Sequence, residues 1–382
     1  MTSKHLRPKW KRRRTPPAKL KWPHPTESTT RANPFEIDLT ILLGKTDDNL
    51  ALKLGFKSDW KDIATEISYV GMRDVYERIV RCARDVLRRE RPASELAAVG
   101  YGAYVKLFPD QTIRDRVATL LVENDGCRIQ VAAGKAHIFP WNFLHVHGEA
   151  DPDPRWFWGA RARIKRTFVN AANVPPPAAM STKVPTVQIG ACSTLAGVIG
   201  HEVPHLQRMP PDVAMTKMLP RFVGKDRHKN VVDLRKLMMS ESADIIHFAC
   251  HGEKGGGGVA ASFTIDDDLE VRSDLLFAQA GPLSKAPLIF LNACEMAAQA
   301  LDSEATFTIG FLENGARAVL APECHVSNER SAAFACVVYD KLLRERKPLV
   351  DAVRETTNEM LSDDELTGLM YAIHGQAEAH LL

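Results

Sequence analysis

Two apolar segments of this sequence each end in a side chain that can take part in covalent catalysis. Residues 245–250 are followed directly by His251, and residues 288–293 are followed directly by Cys294. Runs this rich in β-branched and aromatic residues predict buried strands of a parallel sheet. In open α/β sheets, sites form at the carboxyl ends of the strands. If the two strands are neighbours, an imidazole lies beside a thiol, which is the minimum equipment of a cysteine nucleophile.

The roles of these side chains follow from acid–base chemistry. At neutral pH a thiol is only a few per cent thiolate, so Cys294 needs a base, and His251 is the candidate. Gly252 lacks a Cβ, which lets its backbone N–H approach a substrate carbonyl. With the N–H of Cys294 it is the candidate oxyanion hole. Asn292 and Glu295 flank the nucleophile and are candidate substrate-pocket residues.

Each of these features also has a structural explanation when it is taken alone. His251 could be a histidine satisfied at a strand end, and Cys294 could be a small buried hydrophobic residue. The glycine-rich residues 254–258 are either a mobile loop that serves as a lid or an ordering switch, or an ordinary surface loop. The matched positions of His251 and Cys294 at two strand ends favour the catalytic interpretation.

The composition is that of a globular protein with more than one domain. The chain has 382 residues, of which 45% are hydrophobic and 25% charged. No stretch has the length of a transmembrane helix, and no apolar segment of a secretory signal follows the basic N-terminus. Seven unevenly spaced cysteines do not predict a disulfide framework, so we expect a reducing, cytoplasmic location.

The positive charge is concentrated at the N-terminus. Residues 1–24 hold nine of the 50 Lys and Arg residues and no Asp or Glu. Residues 1–34 are Pro-rich and basic, which predicts a disordered arm. The arm is either a solvated tail or an electrostatic anchor for nucleic acid, a ribosome or an acidic partner protein. Trp10 and Trp22 could stack on bases in the second case.

The first half of the chain predicts an α+β subdomain over residues 35–173. Two strands come first, and a long helix is expected over residues 63–89 because apolar residues recur at spacings of three and four. A second helix is expected over residues 94–107. A hairpin is expected from residues 128–132 and 135–139, around Gly134.

A Pro-rich linker over residues 174–183 separates this subdomain from the second half. Residues 184–382 alternate between strand and helix patterns, including a mostly helical stretch over residues 213–239. Such alternation predicts an α/β domain with a mostly parallel sheet and helices on both faces.

The two strand ends resemble the CHAT family of cysteine peptidases, which are relatives of caspases and separase. In that family a strand ending in His-Gly supplies the catalytic base, and a later strand ending in a short residue and Cys supplies the nucleophile. The resemblance implies that His251 is the base and Cys294 the nucleophile.

Three further segments carry the same resemblance, which spans residues 95–382. Residues 138–144 are similar to a Leu-Pro-Trp-Glu-Leu segment of the family, with Asn142 in place of the Glu. Residues 311–321 resemble the strand after the nucleophile helix, and residues 371–375 resemble the closing segment.

The chain departs from the family pattern directly after the strand of residues 316–321. The family has a Trp-Pro-Val-Asp-like segment there, whereas this chain has Pro-Glu-Cys-His-Val-Ser-Asn over residues 322–328. This stretch is expected near the substrate cleft. Glu323 is therefore a candidate for selecting a basic residue before the scissile bond, and its alternative role is that of a cap or loop residue.

The resemblance implies a caspase-like fold and a cysteine endopeptidase that works by a Cys-His dyad without cofactor or metal. It also implies a specific protein substrate, such as a co-encoded effector or pore-forming protein in a bacterial defence or cell-death pathway, and a possible regulatory partner. No membrane contact is expected. The alternative is a catalytically silent CHAT-fold module for protein interaction.

One metal motif in the sequence is interpreted as a chance match. Residues 201–205, His-Glu-Val-Pro-His, fit the HExxH zinc pattern, which requires both His on one face of a helix. Pro204 lies inside the motif and disfavours a helix, so we expect no zinc site. His247 lies on the strand face of His251, four residues earlier, and is expected to be structural.

Overall fold

A computed structural model of the chain describes most of the residues from 37 to 382. The described residues are 37–45, 49–56, 59–134, 139–148, 153–168, 176–180, 182–222, 226–240, 243–253, 260–265, 269–278, 281–293 and 307–382. The basic arm of residues 1–34, the loop of residues 254–258, Cys294 and Glu295 lie outside these ranges.

The strands of the described residues are numbered in chain order. They are β1 Leu39–Lys45, β2 Asn49–Phe56, β3 Asp59–Ser68, β4 Cys127–Ala133, β5 Ala162–Phe168, β6 Ala179–Met180, β7 Thr186–Ala191, β8 Met215–Met218, β9 Ile245–Ala249, β10 His251–Glu253, β11 Ser262–Ile265, β12 Leu269–Arg272, β13 Leu288–Asn292, β14 Ala318–Pro322, β15 Tyr371–Gly375 and β16 His380–Leu381.

The helices are numbered in the same way. They are α1 Tyr69–Leu87, α2 Ala93–Leu107, α3 Gln111–Glu123, α4 Trp158–Arg161, α5 Val203–Gln207, α6 Arg227–Ser240, α7 Ser273–Leu276, α8 Phe307–Glu313, α9 Asn328–Tyr339 and α10 Leu349–Ser362. Short 3-10 turns cover Trp141–Phe143, Pro154–Trp156 and Thr367–Met370, and π-turns cover Val198–Glu202 and Asp340–Arg344.

Eleven of these strands form one sheet, in the order β3-β2-β1-β4-β5-β15-β14-β13-β9-β7-β8. Most neighbours are parallel, and the antiparallel pairs are β1 with β2, β2 with β3, and β14 with β15. A small sheet of β10, β11 and β12 follows β9, and β6 pairs with β16. The predicted α/β class with a mostly parallel sheet and flanking helices is confirmed.

The large sheet runs across the predicted boundary between the two halves. Strand β5 precedes the Pro-rich linker and β15 lies near the end of the chain, yet they pair in parallel with Arg166 opposite His374. The subdomain limits at residues 174–183 stay a prediction, while the sheet itself joins the residues on both sides of them.

The helix expected over residues 63–89 begins later than predicted, because its first part is strand β3. Ile63, Thr65 and Ile67 are buried at every second position, and the Thr65 hydroxyl donates to the carbonyl of Leu50 in β2 at 2.8 Å. Apolar residues four apart fit both a helix and alternate strand positions, so the spacing of Ile63 and Ile67 did not distinguish them. Ser68 caps α1 by accepting from the N–H of Gly71.

The hairpin expected around Gly134 is wrong. Strand β4 pairs in parallel with β1 along one edge and with β5 along the other, so no edge is left for a strand that turns back beside it. Residues 135–138 lie outside the described residues. A buried strand with parallel neighbours on both edges is typical of the centre of an α/β sheet.

The helical stretch expected over residues 213–239 is only partly correct. Its first residues form the edge strand β8, which pairs in parallel with β7, and α6 follows from Arg227. Exposed Met215 and Met218 in β8 gave the segment no inward-facing period that would have marked a strand.

None of the helices in the described ranges is long and apolar enough to cross a membrane.

Candidate active site

The two strands that carry the predicted catalytic residues are direct neighbours. Strands β9 and β13 are parallel, with register partners running from Leu288 opposite Ile245 to Asn292 opposite Ala249. Both strands are buried along their whole length, as expected for the centre of the sheet. The predicted adjacency of these strands, and their common direction, are therefore confirmed.

The ladder continues one residue beyond the paired strands. The N–H of Cys250 donates to the carbonyl of Asn292 at 3.3 Å, so the two chains still run side by side where the strands end. His251 is the next residue of one chain, and Ala293 is the last described residue of the other. Cys294 follows Ala293 directly and lies outside the described residues.

His251 stands at the point where the chain changes sheets. Cys250 is buried, whereas His251 is exposed and begins β10, where it lies opposite Thr264 of β11. Gly252 is half-buried and lies opposite Phe263. Because the Phe263 ring packs on Phe248 of β9 at 4.9 Å between centroids, the small sheet is anchored on the large one. The structure thus presents an accessible imidazole directly above a buried strand end.

Asn292 lies below this edge and is buried. Its side-chain N–H donates to Glu202 Oε1 at 2.7 Å, and its Oδ1 accepts from the Tyr371 hydroxyl at 2.6 Å. The expectation that Asn292 lines a substrate pocket is corrected, because its amide is fully engaged inside the protein.

Glu202 and His247 form a contact that the sequence did not predict. Both side chains are 0% exposed, and His247 Nε2 lies 2.8 Å from Glu202 Oε1, without the alignment of a hydrogen bond. The rings of Phe290 and Tyr339 meet the His247 imidazole edge to face. A buried carboxyl group is costly unless polar partners surround it, and here they come from β9 and β13.

The HExxH-like segment is divided between core and surface. Glu202 ends the π-turn and points into the core, while the adjacent His201 is exposed. His205 lies in α5, where its Nε2 is 3.2 Å from Asp340 Oδ1. Within the described ranges, no group of three or more His, Cys, Asp or Glu side chains could hold a metal ion.

Glu323 directly follows β14 but does not face a cleft. Its side chain is fully buried, and both carboxylate oxygens bind the Arg166 guanidinium, one of them at 2.9 Å. The Tyr76 hydroxyl donates to the Glu323 carbonyl at 2.9 Å. The expectation that Glu323 selects a basic substrate residue is therefore corrected, because its charge is already neutralised by a bidentate partner.

Asn142 connects the buried pair of Arg166 and Glu323 to β15, which is the last strand of the large sheet in chain order. Arg166 donates to Asn142 Oδ1 at 3.3 Å, and the Asn142 amide donates to the carbonyl of Tyr371 at 2.6 Å. Asn142 belongs to the 3-10 turn Trp141–Phe143, whose side chains are all buried. The segment that resembles the family's Leu-Pro-Trp-Glu-Leu motif therefore packs against the segment that resembles its closing strand.

Four other cysteines of the described residues, Cys82, Cys127, Cys324 and Cys336, lie in surroundings that disfavour a thiolate. Burial raises the pKa of Cys127 and of Cys336 to about 12, and it also raises the pKa of Cys82. The Cys324 thiol is buried and lies 2.9 Å from the Met370 sulfur. Thiols in apolar surroundings stay protonated and inert.

The strand order defines the fold of the chain. The chain has the caspase-like fold of separase: two crystal structures of the Saccharomyces cerevisiae separase–securin complex, at 3.0 and 2.6 Å resolution, match with TM-scores of 0.54 and 0.52. The sequence identities are 11% and 10%. Each match covers 90% of this chain but only 30% of the matched chain, so this chain spans less than a third of its length.

The sequence of the second half matches a known family model. Residues 191–378 match the model of the CHAT domain, so this part of the chain is similar to the CHAT domain family. The matched range begins at the end of β7 and includes the ends of β9 and β13. The comparison with curated proteins gives no match.

Proposed function

We propose that the protein is a cysteine endopeptidase in which Cys294 is the nucleophile and His251 the base. The observation that carries the proposal is the register of β9 and β13. Asn292 and Ala249 are partners, and Cys294 and His251 each lie two residues further along parallel chains. We infer that the two chains stay side by side just beyond the paired strands, and that the thiol and the exposed imidazole meet there.

The chemistry is that of acyl transfer to sulfur. The imidazole of His251 takes the thiol proton as Cys294 Sγ attacks the scissile carbonyl carbon. The tetrahedral oxyanion is held by the backbone N–H groups of Gly252 and Cys294. The C–N bond then breaks, the leaving amine takes the proton from the imidazolium, and a thioester remains. Water, deprotonated by His251, hydrolyses the thioester and regenerates the thiol.

The substrate that we propose is a specific partner protein. Solved separase, which shares the fold, was crystallised in a complex with the protein securin. We extend the likeness to this chain as a proposal that it acts on, or is held by, a dedicated protein, such as a co-encoded effector in a defence or cell-death pathway.

The experiment uses a panel of fluorogenic peptides that differ in the residue before the scissile bond. We expect cleavage by the unmodified protein, and a loss of about three orders of magnitude in kcat/KM for Cys294→Ala and for His251→Ala. Cys336→Ala is the matched control, because Cys336 is a half-buried thiol on α9, and it should cleave at the normal rate.

Two results would overturn the proposal. Normal cleavage by Cys294→Ala would remove the nucleophile from the mechanism. Cleavage of no peptide by the unmodified protein, together with an intact fold and stable binding of a partner protein, would support the catalytically silent interaction module instead.

A further inference from the structure

A continuous polar chain lies beneath the proposed dyad and is closed off from solvent. From one side, Tyr371 of β15 donates its hydroxyl hydrogen to Asn292 Oδ1 at 2.6 Å. On the other side, the Asn292 amide donates to Glu202 Oε1 at 2.7 Å, and that oxygen also lies 2.8 Å from His247 Nε2. All four side chains are buried. The chain thus links β15, β13, β9 and the π-turn that follows β7.

The orientation of the central amide is fixed by its neighbours. A carboxylate can only accept hydrogen bonds, so the Asn292 NH₂ must face Glu202. The carbonyl oxygen of Asn292 then faces Tyr371, whose hydroxyl donates to it. The Asn292 NH₂ also lies 3.4 Å from the carbonyl of Ser331 in α9. The amide is therefore held on both sides, and rotation would leave buried polar groups unpaired.

The position of this amide gives the polar chain a role in the site. Asn292 is the last paired residue of β13, and Cys294 is two residues further along. His247 is in β9, four residues before His251. Glu202 contacts both strands at once, because Oε1 meets Asn292 and His247. The same buried group therefore contacts both strands that lead to the proposed nucleophile and base.

We propose that Tyr371 and Glu202 are positioning residues that hold Asn292 from opposite sides and so fix the end of β13 that carries Cys294. The inference rests on the proposed peptidase function and deepens it. Neither residue touches the substrate in this scheme, and both act through Asn292. Catalytic groups must be held within a fraction of an ångström by neighbouring residues whose own conformations are fixed. A buried amide with all its hydrogen-bond partners present is fixed in this way.

Tyr339 provides a matched comparison inside the same core. The Tyr339 ring contacts His247 and Phe290, and its side chain is fully buried like that of Tyr371. Its hydroxyl has no hydrogen-bond partner among the described residues. Tyr339→Phe therefore removes one buried hydroxyl, as Tyr371→Phe does, but it leaves the hydrogen bonds of Asn292 intact.

The test compares Tyr371→Phe with Tyr339→Phe by the pH profile of alkylation at Cys294. Iodoacetamide reacts with the thiolate, and peptide mapping assigns its product to Cys294 rather than to another cysteine. A dyad makes Cys294 react at pH values where an ordinary thiol, with a pKa near 8.5, is still protonated. We expect Tyr371→Phe to slow alkylation at pH 6.5 about tenfold and to move the profile towards that of an ordinary thiol.

Tyr339→Phe should keep the profile of the unmodified protein, and thermal melting should show that both variants are folded. A second pair of variants, at Glu202, distinguishes the loss of a hydrogen-bond acceptor from a change in the side chain alone. Glu202→Gln keeps an oxygen for the Asn292 amide and should retain most of the reactivity, whereas Glu202→Ala should lose it as Tyr371→Phe does.

The outcomes distinguish the inference from the function on which it rests. An ordinary thiol profile in the unmodified protein would contradict the dyad, and the positioning role with it. A perturbed profile that Tyr371→Phe leaves unchanged, or that both Tyr→Phe variants reduce equally, would overturn the positioning role alone.

Discussion

Ala249 and Asn292 are partners in the parallel ladder of β9 and β13, and each lies two residues before one member of the proposed dyad. Ala249 and Asn292 are 43 residues apart in the sequence, and this pairing makes them neighbours at the carboxyl ends of their strands. It also places the buried side-chain amide of Asn292 at the end of β13, where its hydrogen bonds connect the strand end to the core.

The first prediction concerns the buried ion pair of Arg166 and Glu323. Glu323→Ala leaves the guanidinium buried without its partner and should lower the free energy of unfolding by about 3–5 kcal/mol. The double variant Arg166→Met, Glu323→Leu removes both charges and should recover much of that loss. Urea denaturation monitored by circular dichroism measures both effects.

The control is an exposed ion pair of similar chemistry. Arg272 and Asp274 lie 2.6 Å apart but are 45% and 42% exposed, so Asp274→Ala should change the unfolding free energy by less than about 1 kcal/mol. Equal losses at both sites, or a double variant no better than Glu323→Ala, would show that burial does not govern the Arg166–Glu323 pair.

The second prediction concerns the pH dependence of stability. Burial, and to a lesser extent the charge of Arg166, hold the pKa of His374 well below its ordinary value of 6.5. The unfolded chain therefore binds a proton that the folded protein excludes, and stability falls as the pH drops below about 6.5. The contribution is fully present above that pH and is lost at up to about 1.4 kcal/mol per pH unit below it.

His374→Phe tests the assignment. The His374 ring is stacked on Phe168 and its nitrogens have no hydrogen-bond partner among the described residues, so an aromatic replacement removes no such bond. The variant should match the unmodified protein near pH 7.5 and lose less stability at pH 5. Parallel pH curves for the two proteins, measured by urea denaturation, would count against His374 as the titrating group.

The third prediction concerns the close approach of α2 to the turn that holds Asn142. A Cβ at Gly100 would come within 2.1 Å of the carbonyl oxygen of Phe143, so Gly100→Ala must displace backbone and should cost about 1–3 kcal/mol. Gly102 lies in the same helix, and its Cβ would meet only the Arg78 side chain at 3.9 Å. Gly102→Ala should therefore stabilise by about 0.5–1 kcal/mol, from helix propensity.

Melting temperatures of the two glycine variants provide the comparison. Opposite shifts are expected, downwards for Gly100→Ala and upwards for Gly102→Ala. Two shifts of the same sign would show that the packing of α2 against the Trp141–Phe143 turn does not set the tolerance of the helix.

The strands that lead to the candidate site were predictable from the sequence, because the apolar composition of each strand is visible within a few consecutive residues. Strands β9 and β13 are short, mostly apolar runs rich in β-branched and aromatic residues, which is typical of buried parallel strands. Strand β3 was not predictable, because the spacing of Ile63 and Ile67 fits a helix as well as a strand. Only the pairing with β2 decides between them.

The supporting residues of the site could not be read from the sequence for a different reason. Glu323 and Asn292 are polar residues at strand ends, a position that suits a cleft as well as an internal hydrogen bond. Their burial depends on Arg166 and Tyr371, which lie 157 and 79 residues away. Glu202 stood inside a zinc-like motif, and only its distant contact with His247 reveals it as a core residue.

The central claim is that Cys294 is a nucleophile activated by His251, and covalent labelling tests it most directly. The reagents are fluorescent peptidyl acyloxymethyl ketones with Arg, Lys, Asp or Leu before the reactive group, and peptide mapping locates the label. We predict that the label is on Cys294 in the unmodified protein and absent from Cys294→Ala, and that labelling of His251→Ala is at least about tenfold slower. Labelling that persists in Cys294→Ala, or that His251→Ala leaves unchanged, would contradict the account.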